Sequence, residues 1–280
     1  MTDIIAIVGD THTTSTVGLC NHNQFTLDDG GVYRGSKGQR WLWRCWLEFW
    51  DFAHDLRAIH QPTRFVTIFM GDMIERDRKK RSKQIVSRNT ADAVKAASAT
   101  IEPAIEMSDL AFFIRGTGAH VGGSAEYEEL LAYDCDIAVK NETGNSSWWR
   151  LLAEFEGVLI DAYHHAPMGS KPWTMPNAFN GLATELMLEY AGQKLPALAV
   201  RAHNHRGVDT FDNYPIRVIG IPSWQLMTEH THRLSSNKPP SVGGLFVVCE
   251  NGKYEVIKRT WEPERIRAWK MEKSTRSRTG

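Results

Sequence analysis

The sequence predicts a layered α/β fold, central mixed sheets flanked by helices with a C-terminal β-hairpin, and three observations carry that expectation. Short, continuous apolar runs rich in β-branched and aromatic residues recur along the chain; longer segments of helical period lie between them; and an Asn-Gly pair near the end joins two further runs.

The runs are Ile4–Val8, Phe65–Met70, Leu110–Ile114, Val158–Ala162, Ala197–Val200 and Ile216–Ile221. Unbroken apolar character is what a strand covered on both faces needs. The helical patterns are Gln39–Ile59, Ser82–Met107, Ser124–Tyr133 and Ala178–Ala191. Trp43, Trp46 and Trp50 share one face of the first, which predicts packing on the sheet rather than ligand stacking. Trp148, Trp149 and Trp173 lie among Gly, Asn, Ser and Pro, where an exposed ring and a cover over the core edge are both compatible with the sequence. Leu245–Glu250 and Lys253–Lys258 flank Asn251-Gly252, the signature of a type I′ turn. With no repeat or low-complexity linker, residues 1–280 read as a single domain.

Of the 280 residues, 42% are hydrophobic, enough for a sizeable core. The 33 basic and 33 acidic residues cancel, so overall charge does not mark a nucleic-acid-binding domain. Two basic clusters, Arg76 to Arg88 and Lys258 to Arg278, read by default as solvated surface. Cys20, Cys45, Cys135 and Cys249 are scattered with no Cys-x-x-Cys pair, which suggests neither a disulfide framework nor a thiolate zinc site and fits a reducing cytoplasm. No apolar stretch reaches the ~18 residues of a membrane span, so neither a membrane partner nor a targeting segment is expected.

The chemistry lies where polar residues follow the apolar runs: Gly9-Asp10-Thr11-His12, Gly71-Asp72, Arg115-Gly116-Thr117-Gly118-Ala119-His120, Tyr163-His164-His165-Ala166-Pro167 and Arg201-Ala202-His203-Asn204-His205. Ligands of open α/β sheets bind outside the carboxyl ends of strands, so these five loops should converge. Asp-x-His on a tight turn offers a carboxylate and an imidazole to one ion, with Gly9 permitting the sharp backbone. His-x-His can send its rings to different ions, and a lone Asp after Gly71 suits a bridge between two metals ~3.5–4 Å apart. Such mixed oxygen and nitrogen donors suit Mn first, with Fe, Zn, Co or Ni as alternatives, rather than Ca.

In this order the motifs resemble the calcineurin-like metallophosphoesterase superfamily, from Gly9 to His205. The resemblance implies two divalent metal ions. Asp10, His12 and His205 would hold the first, Asp72 would bridge, and His164 and His203 would hold the second. It makes His120 a non-ligand that stabilises charge beside the phosphate and protonates the leaving oxygen, with a metal-bridging hydroxide as nucleophile. Ala119 stands where the family has Asn, so the second metal lacks an amide ligand, and Thr117 or water would fill its place. Glu75 replaces the second Asp of the family's Gly-Asp-x-x-Asp-Arg, a position that supports the loop. Of the tandem His164-His165, one should face the metals, since successive side chains of an extended backbone point to opposite faces. His164 is the first choice and His165 the alternative.

Other polar groups have plainer readings. His230 and His232 follow no Asp-bearing strand, and His22, His54 and His60 lack ligand spacing. Glu126, Glu128 and Glu129 read as a solvated acidic face. The expected function is therefore a metal-dependent phosphoesterase. A phosphodiesterase or nuclease acting on DNA or nucleotides is favoured by the basic segment from Arg76 and by Trp173 as weak substrate contacts, and by a third-motif variant that resembles phosphoesterases of phage genomes. The alternatives are a phosphomonoesterase, a phosphoprotein phosphatase, or a non-catalytic metal-binding scaffold of the same fold.

Overall fold

A computed structural model describes residues 1–21, 25–76, 84–167, 174–235 and 240–264. The elements begin with β1 (Thr2–Val8), β2 (Phe25–Thr26), β3 (Val32–Tyr33), α1 (Lys37–His60), β4 (Arg64–Phe69), α2 (Thr90–Met107) and β5 (Leu110–Ile114). They continue through α3 (Gly118–Val121), α4 (Glu126–Tyr133), β6 (Ser147–Trp148), β7 (Arg150–Phe155), β8 (Val158–Tyr163), α5 (Met175–Glu189) and β9 (Leu198–Arg201). The chain closes with β10 (Val208–Asp209), β11 (Arg217–Gly220), α6 (Glu229–Ser235), β12 (Val242–Glu250) and β13 (Lys253–Trp261).

Two mixed sheets form the centre. One has the order β13-β12-β1-β4-β5-β6, and the other β10-β11-β9-β8-β7. In β1 the alternation is by partner rather than by polarity. Ile5 and Ile7 face the second sheet with Val66 and Ile68, against Ile160, Leu198 and Val200. Ile4, Ala6 and Val8 pack instead with Trp46, Phe49 and Ile101 of the helices. Both faces are dry, which is why the run is continuously apolar. A third cluster seats α5 on the outer face of the second sheet through Phe179, Ala183 and Leu186. The molecule is thus layered helix, sheet, sheet, helix.

α1 begins with a capping box, Ser36 accepting from Gln39 N while Gln39 Oε1 accepts from Ser36 N, and stops at Gln61 in a left-handed conformation. Trp43, Trp46 and Trp50 are buried, as their shared face required. The closing hairpin turns through Asn251 (φ 50°) and Gly252 (φ 76°), both left-handed as type I′ demands.

Several boundaries differ from expectation. The helix expected over Ser82–Met107 starts only at Thr90, because Asn89 caps it and the preceding backbone is committed elsewhere, Val86 N donating to Thr14 O and Gln84 O accepting from Thr16 N. Ser124–Tyr133 shortens to Glu126–Tyr133, and Ala178–Ala191 moves to Met175–Glu189, where Pro176 suits the first turn. Strand β7 was not expected. It is an edge strand of alternating polarity, paired to β8 through a tight turn at Glu156 (φ 45°) and Gly157 (φ 85°). Among the described residues no helix is long and apolar enough to cross a membrane.

Candidate metal centre

The strand-end loops are laced together by backbone hydrogen bonds. β1 and β4 run parallel, and their register continues past the strands: Asp10 N donates to Gly71 O (2.9 Å), His12 N to Asp72 O (2.9 Å) and Thr13 N to Met73 O (3.0 Å). In the other sheet Ala202 N donates to His164 O (2.9 Å), carrying the β8–β9 pairing one residue further. The two sheets meet where His203 N donates to Asp10 Oδ2 at 3.1 Å.

Gly71 has φ 89°, and a Cβ there would lie 2.8 Å from both Gly116 Cα and His164 Nδ1, so only glycine fits. Gly9 does not supply the sharp turn expected of it. A Cβ there would meet Met70 Cβ at 2.8 Å, and the left-handed residue is Asp10 itself. His12, Asp72, His203 and His205 are left-handed as well, with φ between 44° and 69°. Strained conformations of this kind cost about 1–3 kcal/mol each and persist where the site requires them.

Among the described residues three groups of potential metal donors result, one of them His12, Glu75 and His120, and the other two made of the expected residues. Asp10, His12 and His205 bring donor atoms within 4.8 Å of one another, and Asp72, His164 and His203 do the same. In the first, His12 Nε2 and His205 Nε2 are 3.2 Å apart, and Asp10 Oδ1 lies 3.4 Å from His205 Nε2. In the second, His164 Nε2 is 3.2 Å from Asp72 Oδ2, while Thr117 Oγ1 stands 3.2 Å from His164 Nε2 and 3.0 Å from His203 Nδ1. Thr117 N donates to Asp72 Oδ1 at 2.6 Å. A threonine hydroxyl therefore stands between the His164 and His203 rings. His164 is buried and His165 exposed, its ring centroid 5.2 Å from that of His203.

The outer contacts orient these rings. His164 Nδ1 donates to Met70 O (2.6 Å), and His12 Nδ1 to Glu75 Oε2 (2.8 Å), which turns each Nε2 toward the centre. Glu75 is the feature that sequence reasoning valued too little. Its other oxygen accepts from His120 Nδ1 at 2.8 Å, so one carboxylate holds both an inner ring and the ring expected beside the phosphate. Glutamate in place of aspartate, one methylene longer, was the available signal.

Electrostatics follow from this crowding. Burial opposes ionisation of Glu75, but the bonds from His12 and His120 outweigh it and hold the carboxyl at about 2. Asp10 and Asp72 are likewise held low against burial, by the charge of His205 and His164 respectively. Burial disfavours a charged His120, yet the Glu75 bond and the Asp72 carboxylate raise it to about 9. Burial, then the His164 charge, pushes His203 down to about 4.

The acidic face expected at Glu126, Glu128 and Glu129 is solvated only at Glu126, which is exposed. Glu128 is 1% exposed beneath the Asp72 loop, where Oε1 accepts from Met73 N, and Glu129 accepts from Ser146 N and Ser147 N. Burial pushes the Glu128 carboxyl well up. Arg76 lies over the Tyr127 ring (5.1 Å), on the surface beside the His120 loop. Trp148 packs on Phe112 and donates to Val139 O, whereas Trp149 is 56% exposed with Arg115 on its face. Trp173, His22 and the basic stretch 77–83 lie outside the described residues.

The donor set fits divalent cations. Asp10 Oδ1 is fully buried and accepts no hydrogen bond, an expensive state for an anionic oxygen unless a cation meets it.

No family description matches the chain, and no curated protein matches its sequence. Among solved structures it overlaps a Haemophilus influenzae NAD nucleotidase (TM-score 0.40, 10% identity, 93% of this chain and 49% of that one). It also overlaps a dimetal phosphatase from Danio rerio (0.41, 10%, 92% and 96%) and a phosphatase from Mycoplasma pneumoniae (0.41, 9%, 93% and 93%). The chain spans about half the length of the nucleotidase. At these scores the likeness assigns no activity, and the functional reading rests on the side chains.

Proposed function

We propose that the protein is a metal-dependent phosphoesterase, with Asp10, His12 and His205 holding one divalent cation, His164, His203 and Thr117 a second, and Asp72 serving both. The observation that carries this reading is the buried Asp10 Oδ1, which accepts no hydrogen bond and stands among converging imidazole nitrogens. Cations bound there would supply Lewis acidity toward phosphoryl oxygens and make water nucleophilic near neutrality, with Mn²⁺ as the favoured ion.

The chain's own groups supply the remainder. His120, with Nδ1 held by Glu75 and its side chain 32% exposed, presents Nε2 to substrate. As an imidazolium it stabilises charge growing on the phosphoryl group and gives its Nε2 proton to the leaving oxygen. Thr117 N and the Met70 carbonyl fix Asp72 and His164, so little reorganisation is needed when substrate arrives.

We assign phosphodiesters of nucleotides or nucleic acid as the substrate class. Arg76 beside the His120 loop and the exposed Trp149 ring over Arg115 support it. The test is hydrolysis of bis-p-nitrophenyl phosphate, p-nitrophenyl phosphate, a cyclic nucleotide and single- and double-stranded DNA by Mn²⁺-loaded and chelator-treated protein. Activity on diesters that vanishes with chelation is the expected outcome. Equal activity in both preparations would remove the metal reading.

A further inference from the structure

Beside the centre, behind His165, lies an open cavity of about 380 Å³ whose walls combine the rings of Tyr163 and His165, the aliphatic surfaces of Pro167, Leu182 and Leu186, and the carboxylate of Glu185. Its volume is at the small end of ligand pockets, which run ~300–1,000 Å³, a size suited to one ring system. The ring centroids of Tyr163 and His165 are 5.6 Å apart, and those of His165 and His203 5.2 Å, so an aromatic path leads from the cavity to the proposed second-cation ligands. We propose that this cavity is the nucleobase subsite of the phosphoesterase, and that it selects guanine; the inference rests on the functional reading above.

The polar groups decide what enters. Arg150 and Arg201 also line the cavity, but neither is a phosphate cradle. Arg150 Nε and Nη2 are bonded to the two oxygens of Asp161 (3.0 and 2.7 Å), and Nη1 to Glu189 (2.6 Å). Arg201 gives Nη2 to Asp161 Oδ2 (3.1 Å) and Nη1 to the carbonyls of Asp161 and Val200 (3.1 and 2.9 Å). With both guanidinium charges already paired to the Asp161 and Glu189 carboxylates, the phosphate belongs at the metal centre, and the cavity receives the part of the substrate that carries no charge.

Glu185 is the polar group left over. On the exposed side of α5 it makes no hydrogen bond or ion pair with any described residue, although it borders the cavity. An ionised carboxylate is an acceptor only. Guanine alone among the standard bases places two donors, N1–H and the 2-amino group, side by side on its pairing edge. Thymine and uracil set a single N–H between two carbonyls that repel a carboxylate; adenine and cytosine offer an amino group next to a ring acceptor. The His165 and Tyr163 rings in the walls and a rim carboxylate for a paired donor thus fit guanine best among the bases.

Calorimetric titration of the full chain with guanosine and with thymidine, without added metal, reads the subsite independently of catalysis. We expect guanosine to bind at least ~10-fold more tightly, and Glu185→Gln to erase that difference, the scale of one lost charge-assisted hydrogen bond. Glu185 is exposed, and a melting curve confirms that the variant folds. In the Mn²⁺-loaded protein, the ratio of kcat/KM for the p-nitrophenyl esters of guanosine and thymidine 5′-phosphate should fall by the same factor. Guanosine selectivity lost in the variant supports the subsite even if no phosphoester is cleaved, an outcome that would remove only the catalytic reading. Equal binding of the two nucleosides, preferential binding of a cation such as choline, or selectivity that survives Glu185→Gln would overturn the inference, even in an active phosphoesterase.

Discussion

Replacing Glu75 by alanine removes both of its 2.8 Å bonds, to His12 Nδ1 and to His120 Nδ1, from a side chain only 14% exposed. Hydrogen bonds to charged groups contribute ~1.5–3 kcal/mol each, so ~3–6 kcal/mol of local organisation is the upper limit of what is lost. The loss should divide between two observables, because the two rings have different tasks. Freed of its partner, His12 can rotate and change tautomer, and metal affinity should fall ~10–100-fold, the usual effect of removing an outer partner of a ligand histidine. Without the carboxylate, His120 loses orientation and its elevated proton affinity, and turnover at saturating metal should fall ~100-fold. Glu75→Gln should lie between, because an amide accepts through one atom only and cannot serve two Nδ1–H donors. Calorimetry with Mn²⁺ gives the first quantity and kcat on bis-p-nitrophenyl phosphate the second. Wild-type values of both in a folded Glu75→Ala protein would refute this account and leave Glu75 a support of the loop alone.

Thr117→Ala should weaken one of two Mn²⁺ sites while Thr117→Ser keeps it, since only the hydroxyl lies between His164 and His203; calorimetric stoichiometry decides. Because that hydroxyl already occupies the place, Ala119→Asn should change Mn²⁺ affinity little, and a marked tightening in the same titration would show that Thr117 is no ligand. Asp161→Asn should destabilise the fold by ~3–5 kcal/mol, because it strands the buried Arg201. Burial would raise the Asp161 carboxyl, but Arg150 and Arg201 outweigh it and hold it below its ordinary value. Its stabilisation is thus complete above the unfolded value of ~3.9 and lost as pH falls through the lower folded one. Urea unfolding from about pH 4 downward should show a steeper acid-dependent loss in the wild type than in the variant, whose remaining slope comes from Glu75, Asp10 and Asp72. Saturating Mn²⁺ at about 100 times its dissociation constant should add ~2.7 kcal/mol to stability, read as a higher melting temperature that chelation reverses.

Most of the layered architecture was legible in the sequence because it depends on properties local to each segment. A run such as Ile4–Val8, apolar at every position, has few soluble solutions besides a strand covered on both faces, and Asn251-Gly252 tolerates the left-handed turn its hairpin needs. The residues brought together at the centre were legible for the same reason: each follows a strand, and parallel strands deliver their ends to one edge. Partners were not. The bonds from Glu75 to His12 and His120 and the burial of Glu128 beneath the Asp72 loop join segments dozens of residues apart. Edge strand β7 escaped because its stability comes from pairing with β8 rather than from its own composition. Such contacts are set to within tenths of an ångström by how loops lace across the two sheets, and a side chain's chemistry alone does not encode which neighbour that lacing will bring.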